Sequence, residues 1–320
     1  MESLKEKYAP YFKIGAAVNE RSVDSHKELI LRHFNSVTCE NEMKYMPIRC
    51  RKSNGEADFS AADKIYNFAA DNGISVRGHT FAWHGSAPDS FENMSAEELT
   101  EAITKHIGEM AARYGKIYCW DVVNEAIDDE TGGLRNSIFR KKLGDDYLHT
   151  IYKIAGEKLP KTTKLFYNDY NEASEIKRGG IIRLIKEMKE HGTPVGGVGL
   201  QCHISVHEPT AENYKRALND YAALGLPIQI TEMDISVYAG KDEKQKDYDK
   251  ETAKTLARVY GDYFKLFREY KDNIETVTFW GVADDRTWLD NFPAKRRKNY
   301  PLPFDSNHEP KEAFYAVMDF

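Results

Sequence analysis

The sequence predicts an α/β fold, a closed (β/α)8 barrel, and three observations carry that prediction. Short apolar, β-branched or aromatic runs alternate with longer amphipathic stretches along the whole of the 320 residues. The runs are close to continuously apolar, as strands covered by helices must be. No Gly-rich phosphate loop follows the first run, where Val18, Asn19, Glu20 and Arg21 stand instead, which disfavours a doubly wound open sheet.

In order, the runs at residues 11–18, 34–39, 74–80, 117–123, 164–167, 195–201, 227–231 and 276–282 read as strands. The helical patterns between and after them cover residues 23–34, 62–71, 95–114, 147–159, 175–191, 211–224 and 251–270, with apolar residues at three- and four-residue steps. Ser95 with Glu98 three residues on is a capping box ahead of Leu99. Gly192 and Gly225 stand just past helix ends, where a left-handed residue is wanted. No repeat, low-complexity tract or linker interrupts the pattern, so residues 1–320 read as a single domain.

A chain of this length with 41% hydrophobic residues buries a core large enough to need no disulfide or metal. The cysteines Cys39, Cys50, Cys119 and Cys202 show no paired spacing and read as free thiols. A net charge of −6 argues against a nucleic-acid partner, whose phosphates need clustered Lys and Arg. The run Lys295, Arg296, Arg297 and Lys298 reads as a solvated loop, with contact to an acidic group on a substrate as the alternative. Charges fill the first fifteen residues where a secretory signal is apolar, and no stretch approaches the ~18 apolar residues of a membrane span. The expectation is a cytoplasmic protein with no membrane partner, or a secreted one if a signal was trimmed. The oligomeric state is not legible.

In a barrel of this kind, polar residues at the C-terminal ends of the strands point into the active site. Strand two is followed by Glu40, Asn41 and Lys44, and strand three by His79, Trp83 and His84. Strand four ends in Asn124 and Glu125, strand five in Asn168, Asp169, Tyr170 and Asn171, and strand six in Gln201 and His203. Strand seven ends in Glu232 and Asp234, and strand eight in Trp280 with Trp288 following. Taken singly, each has an ordinary structural reading as a helix cap, a loop residue or a core aromatic. Seven strands in succession placing such groups at one end argue for a site.

Glu125 and Glu232 end strands that face each other across the mouth. Two carboxylates over a cleft that also carries tryptophans are what glycoside hydrolysis requires. His203 and Asp234 form a chain to Glu232, and hydrogen bonds to the charged form favour an ionised nucleophile there. Glu125 has no cationic partner in its motif and takes the acid/base role. No cofactor or metal is called for.

The segments FKIGAAVN (12–19), FNSVTCENEMK (34–44), VRGHTFAWH (76–84), CWDVVNEA (119–126), LFYNDYN (165–171), GVGLQCH (197–203), ITEMDIS (230–236) and FWGVADDRTWL (279–289) resemble the endo-1,4-β-xylanases of glycoside hydrolase family 10. The likeness runs from about residue 12 to the C-terminal helix. It implies a retaining enzyme acting on xylan or xylo-oligosaccharides, with Glu125 as acid/base and Glu232 as nucleophile. It implies glycone-side contacts from Glu40, Asn41, Lys44, His79 and Trp83, and a bond from Asn124 to the sugar 2-hydroxyl. It places Gln201 and His203 at the cleavage point, Trp280 and Trp288 against sugar faces, and Tyr170 and Asn171 on the leaving side. Ser86 stands where the family often has Gln or Asn, and the cysteine pair of secreted members is not evident, which resembles the intracellular branch. Two further enzyme readings remain open at this stage: a cellulose- or mannan-cleaving barrel, and a metal-dependent isomerase using Glu232, Asp234, His203 and Asp169. A lectin that kept the aromatic groove but lost catalysis is the non-enzyme alternative.

Overall fold

The computed structural model describes residues 2–52 and 56–320. Eight parallel strands make the sheet: β1 Lys13–Val18, β2 Ser36–Cys39, β3 Ser75–Gly78, β4 Cys119–Asn124, β5 Lys164–Asp169, β6 Gly197–Leu200, β7 Ile228–Ser236 and β8 Ile274–Phe279. β8 pairs with β1 on one side and β7 on the other, so the sheet closes on itself. One helix of seven or more residues follows each strand: α1 Lys27–His33, α2 Ser60–Asp71, α3 Ala96–Arg113, α4 Tyr147–Lys158, α5 Glu175–Glu190, α6 Ala211–Ala222, α7 Lys250–Glu269 and α8 Glu312–Met318. The (β/α)8 barrel is therefore as expected. No helix among the described residues is long and apolar enough to cross a membrane.

Local chemistry explains the elements. Ser95 and Glu98 form the predicted reciprocal cap of α3, whose Leu99, Ile103, Ile107 and Met110 are buried at helical spacing. Full burial of each such side chain contributes roughly 1.5–3 kcal/mol. Two strand glycines let a neighbouring aromatic lie flat across the sheet. A Cβ on Gly78 would fall 2.1 Å from the Trp120 ring, and one on Gly197 would fall 2.3 Å from Phe166. Gly192 and Gly225 have φ of 69° and 67° and end α5 and α6 as expected. All four cysteines are free, three of them buried and Cys50 exposed.

Three features differ from expectation. The helix expected over 23–34 breaks at His26 (φ −112°, ψ 16°). The buried His26 ring there is held by Ser25 Oγ and Asp285, both at 2.8 Å. The charged run after β8 is not simply solvated. Arg297 is buried, lies 3.8 Å over the Tyr238 ring and donates to the carbonyls of Gly240, Lys241 and Glu243. Lys298 pairs with Asp290 at 2.6 Å. Finally, two short strands that the sequence does not announce add to the sheet at its mouth. Ala82–Trp83 pairs with the end of β4, and His203–Ser205 pairs with the end of β7, which runs five residues past its expected stop at Thr231.

A polar ladder runs up the barrel interior. Arg77 on β3 donates to Gln229 on β7 at 2.9 Å, a bond that crosses the barrel because those strands are not neighbours. The same guanidinium holds both carboxylate oxygens of Asp121 on β4, and all these groups are sealed from solvent. Asp121 also accepts from Nδ1 of His79 at 2.8 Å, which fixes the ring at the floor of the mouth. Removing one member of a buried ion pair strands the other charge. Arg77→Met is therefore expected to destabilise the fold by about 3–5 kcal/mol, read as a drop in the urea midpoint. A midpoint within error of the parent would contradict the ladder's role.

Candidate active site

The two added strands assemble the site. The register Trp83↔Asn124 sets the Trp83 indole beside Glu125, and its Nε1 donates to Glu125 Oε2 at 2.7 Å. The register His203↔Asp234 sets the imidazole beside strand β7, where Nδ1 meets Asp234 Oδ1 at 2.9 Å and Nε2 meets Glu232 Oε2 at 3.2 Å. Strand pairing thus converts sequence-distant residues into neighbours.

Glu125 stands just past β4 with a φ of 59°, half-buried. Its other oxygen, Oε1, accepts from Asn124 Nδ2 at 3.1 Å and Gln201 Nε2 at 3.0 Å. Its side-chain donors are therefore a tryptophan and two amides, all neutral. Glu232 is 4% exposed, and its Oε1 accepts from Asn168 Nδ2 at 2.8 Å. The same Asn168 amide donates to Asn124 Oδ1 at 2.9 Å. A relay of two side-chain amides, Asn124 and Asn168, therefore links the two carboxylates across the mouth.

The electrostatics of the carboxylates differ. Burial alone would raise the Glu232 carboxyl, but the His203 hydrogen bond and the electrostatic pull of His79, His203 and Lys44 outweigh it and hold it at about 2. Burial likewise works against charge on His203, yet Asp234 and Glu232 lift its imidazole to about 10. Near neutral pH the group beside Glu232 is thus an imidazolium, locked between two carboxylates. Lys44 is buried, and desolvation lowers its ammonium despite attraction from Glu232, Glu40 and Glu125. It lies 4.6 Å over the Trp83 ring and donates to Asn41 Oδ1 at 2.9 Å.

The remaining expected residues divide by place. Glu40 accepts from Asn19 Nδ2 at 3.2 Å, and its neighbours across a narrow crevice are Trp280 and Trp288. The Trp280 ring meets His79 edge-on at 5.5 Å, and Trp288 Nε1 donates to Asp234 Oδ2 at 2.7 Å. Phe292 stacks on Trp288 at 5.0 Å and 17°. On the other side of His203 a cavity of about 530 Å³ opens, lined by Asn171, Glu172, Arg178, Ser205 and Asn213 among others. Tyr170 is less free than expected. Its hydroxyl bonds Asp129 and Arg135 and its ring carries Lys177 at 3.9 Å, which fixes the half-buried side chain against the loop after β4. Ser86 is spent on the fold, accepting from the backbone N–H of Met46 at 3.2 Å.

Two groups were not singled out from the sequence. Asn168 sits among polar neighbours at the end of β5 and nothing in its spacing marks it as the link. Gly199 beside it admits the amide: a Cβ there would lie 2.3 Å from Asn168 Oδ1. Arg135 lies in an irregular loop, yet donates to the carbonyls of Glu125 and Ile127 at 3.1 and 3.2 Å. With Asp129, Lys177 and Asp169 it holds the segment after β4 in place. Asp169 is fully buried, and desolvation raises it to about 7 against the pull of Lys177.

A family model described as glycosyl hydrolase family 10 matches residues 3–320. The chain is 42% identical to endo-1,4-beta-xylanase B of Paenibacillus barcinonensis over 99% of this chain and 97% of the relative. It is 43% identical to endo-1,4-beta-xylanase A of Caldicellulosiruptor saccharolyticus, covering 99% and 96%. Among solved structures, a xylanase from Paenibacillus barcinonensis bound to a conduramine derivative superimposes with a TM-score of 0.95 at 41% identity, covering 99% and 98% of the two chains. A mutant structure in complex with xylotriose gives 0.95 at 41% identity over all of both chains. Barrel, paired carboxylates and full-length similarity agree, and the chain belongs to glycosyl hydrolase family 10.

Proposed function

We propose that the protein is a retaining endo-1,4-β-xylanase acting on internal bonds of xylan or xylo-oligosaccharides, with Glu232 as nucleophile and Glu125 as acid/base. The observation that carries the reading is the unlike pair: one buried carboxylate held ionised by an imidazolium, and one half-buried carboxyl with neutral partners, joined by two amides across the mouth. Similarity to xylanases supports the substrate class.

In the first step a Glu232 oxygen attacks the anomeric carbon as the glycosidic C–O bond breaks, and the Glu125 proton passes to the departing oxygen. The sugar is left esterified to Glu232, whose charge is gone. Glu125, now a carboxylate, takes a proton from water as that water attacks the same carbon and the ester bond breaks. Two displacements restore the β configuration. Asn124, presented by the Asn168 amide, is placed to bond the 2-hydroxyl, a contact that strengthens as the oxocarbenium character grows. Glu40, Asn41, Lys44, His79 and Trp83 line the glycone side, and Trp280 and Trp288 wall it.

His203 argues against the metal-isomerase alternative. Both of its ring nitrogens are taken by carboxylates of the cleft, Nδ1 by Asp234 and Nε2 by Glu232, so neither stands free for an ion in this arrangement. The test is release of reducing ends from xylan and from carboxymethylcellulose, each with and without excess EDTA. Xylan cleavage that survives the chelator, with little on the glucan, is expected. The reverse preference, or loss with EDTA, would overturn the reading.

The His203 arrangement also predicts a pH effect. His203→Ala removes a hydrogen bond and a positive charge while burial remains, so the Glu232 carboxyl rises from about 2. A nucleophile that protonates at higher pH shifts the acid limb of kcat/KM upward, measured on an activated aryl xyloside. An unmoved acid limb would mean that His203 does not hold the charge on Glu232.

A further inference from the structure

Among the described residues two clusters of metal-ligating side chains stand apart from the catalytic carboxylates, and their hydrogen bonds separate them. In the first, His26, Asp285 and His308 converge, but both His26 nitrogens are engaged, Nε2 with Asp285 and Nδ1 with Ser25. That cluster is a latch between loops. In the second, His149 near the start of α4 meets Glu187 and His191 at the end of α5. Glu187 and His191 are four residues apart, one helical turn, so they share a face.

We propose that His149, Glu187 and His191 bind a divalent first-row cation, with zinc the best match to two imidazoles and one carboxylate. The tautomers carry the argument. Nδ1 of His191 lies 2.9 Å from the Glu187 backbone carbonyl, an atom that only accepts, so Nδ1 bears the proton and Nε2 keeps its lone pair. Nδ1 of His149 is bonded to the Thr193 hydroxyl, a group able to accept the same proton and so leave Nε2 its lone pair. This is the outer support that orients metal-binding histidines, with the far nitrogen left for the ion. The two rings stand 5.1 Å apart and His149 Nε2 lies 3.6 Å from the Glu187 carboxylate. The donor atoms all fall within 4.8 Å of one another. Donors on a tetrahedral zinc with bonds of roughly 2.0–2.2 Å sit somewhat closer, and the half-exposed Glu187 side chain turns to close the difference. Three protein ligands leave the fourth position to water. The ion ties α4 to the end of α5 and, by binding the folded state, stabilises it.

The test is titration of the tag-free full chain, stripped with EDTA, with zinc chloride by calorimetry, alongside thermal melts. One saturable zinc per chain and a melting point that climbs with zinc are expected. His149→Ala combined with His191→Ala is expected to weaken binding by at least roughly 100-fold, and Thr193→Val by about 10-fold through loss of orientation. Neither variant should alter xylan hydrolysis, and His308→Ala should bind zinc as the parent does. Absence of saturable binding, parent-like affinity in the double variant, or loss of binding in His308→Ala would each overturn the proposal.

Discussion

Glu232→Ala is expected to abolish turnover, lowering kcat by on the order of 10⁵-fold or more, because no other group can form the covalent intermediate. The loss is chemical and not one of folding, which azide can demonstrate. The cavity left by the carboxylate admits a small anion on the face opposite the leaving group. With a substrate whose leaving group departs unaided, azide attack there displaces the aglycone once and gives the α-xylosyl azide. A β-azide product, or wild-type turnover without azide, would remove Glu232 from the nucleophile's position. The buried setting of Glu232, with His203 and Asn168 already fixed on its two oxygens, is why substitution by another acid is also expected to fail.

Glu125→Ala is expected to divide substrates by leaving group. General acid assistance contributes typically 10²–10⁴-fold, so xylan hydrolysis falls by about that factor. An aryl xyloside with a good leaving group needs no proton in the first step and forms the glycosyl-enzyme at close to the parent rate. Breakdown of that intermediate then lacks a base and becomes limiting, seen as a burst of released phenol. Azide here attacks the glycosyl-enzyme from the water side and gives the β-azide, the opposite of the Glu232 result. Equal loss on both substrate types with no burst would refute the division of roles.

Much of the architecture was legible because the barrel repeats one signal. Each of the eight apolar runs became a strand, and errors at their ends were a few residues. The periodicity over 23–34 continues through His26, where the helix breaks and the ring is bonded to Ser25 and Asp285, a tertiary contact that no period reports. The strands Ala82–Trp83 and His203–Ser205 are two and three residues long, too short for any period, and their register exists only once β4 and β7 stand beside them. That matters for the site. Sequence order put Trp83 near strand three and His203 near strand six, while pairing delivers them to Glu125 and Glu232. The chain from Asp234 through His203 to Glu232 could be expected from residue type, because a histidine and two acids at strand ends have few other ways to be satisfied. Asn168 could not, since an asparagine past a strand has many ordinary uses and its link to both carboxylates is a matter of geometry. Arg297 was misjudged for the same reason: its charge suggested solvent, and three backbone carbonyls with a tyrosine ring satisfy it instead.

The most direct test of the central claim is to trap the intermediate. A 2-fluoro xylobioside with a reactive leaving group forms the ester readily but hydrolyses slowly, since fluorine disfavours the oxocarbenium-like transition state of the second step. Peptide mass spectrometry of the inactivated protein is expected to place one fluorosugar on Glu232. An adduct on any other residue, or turnover with no adduct and α-anomer as first product, would contradict the account.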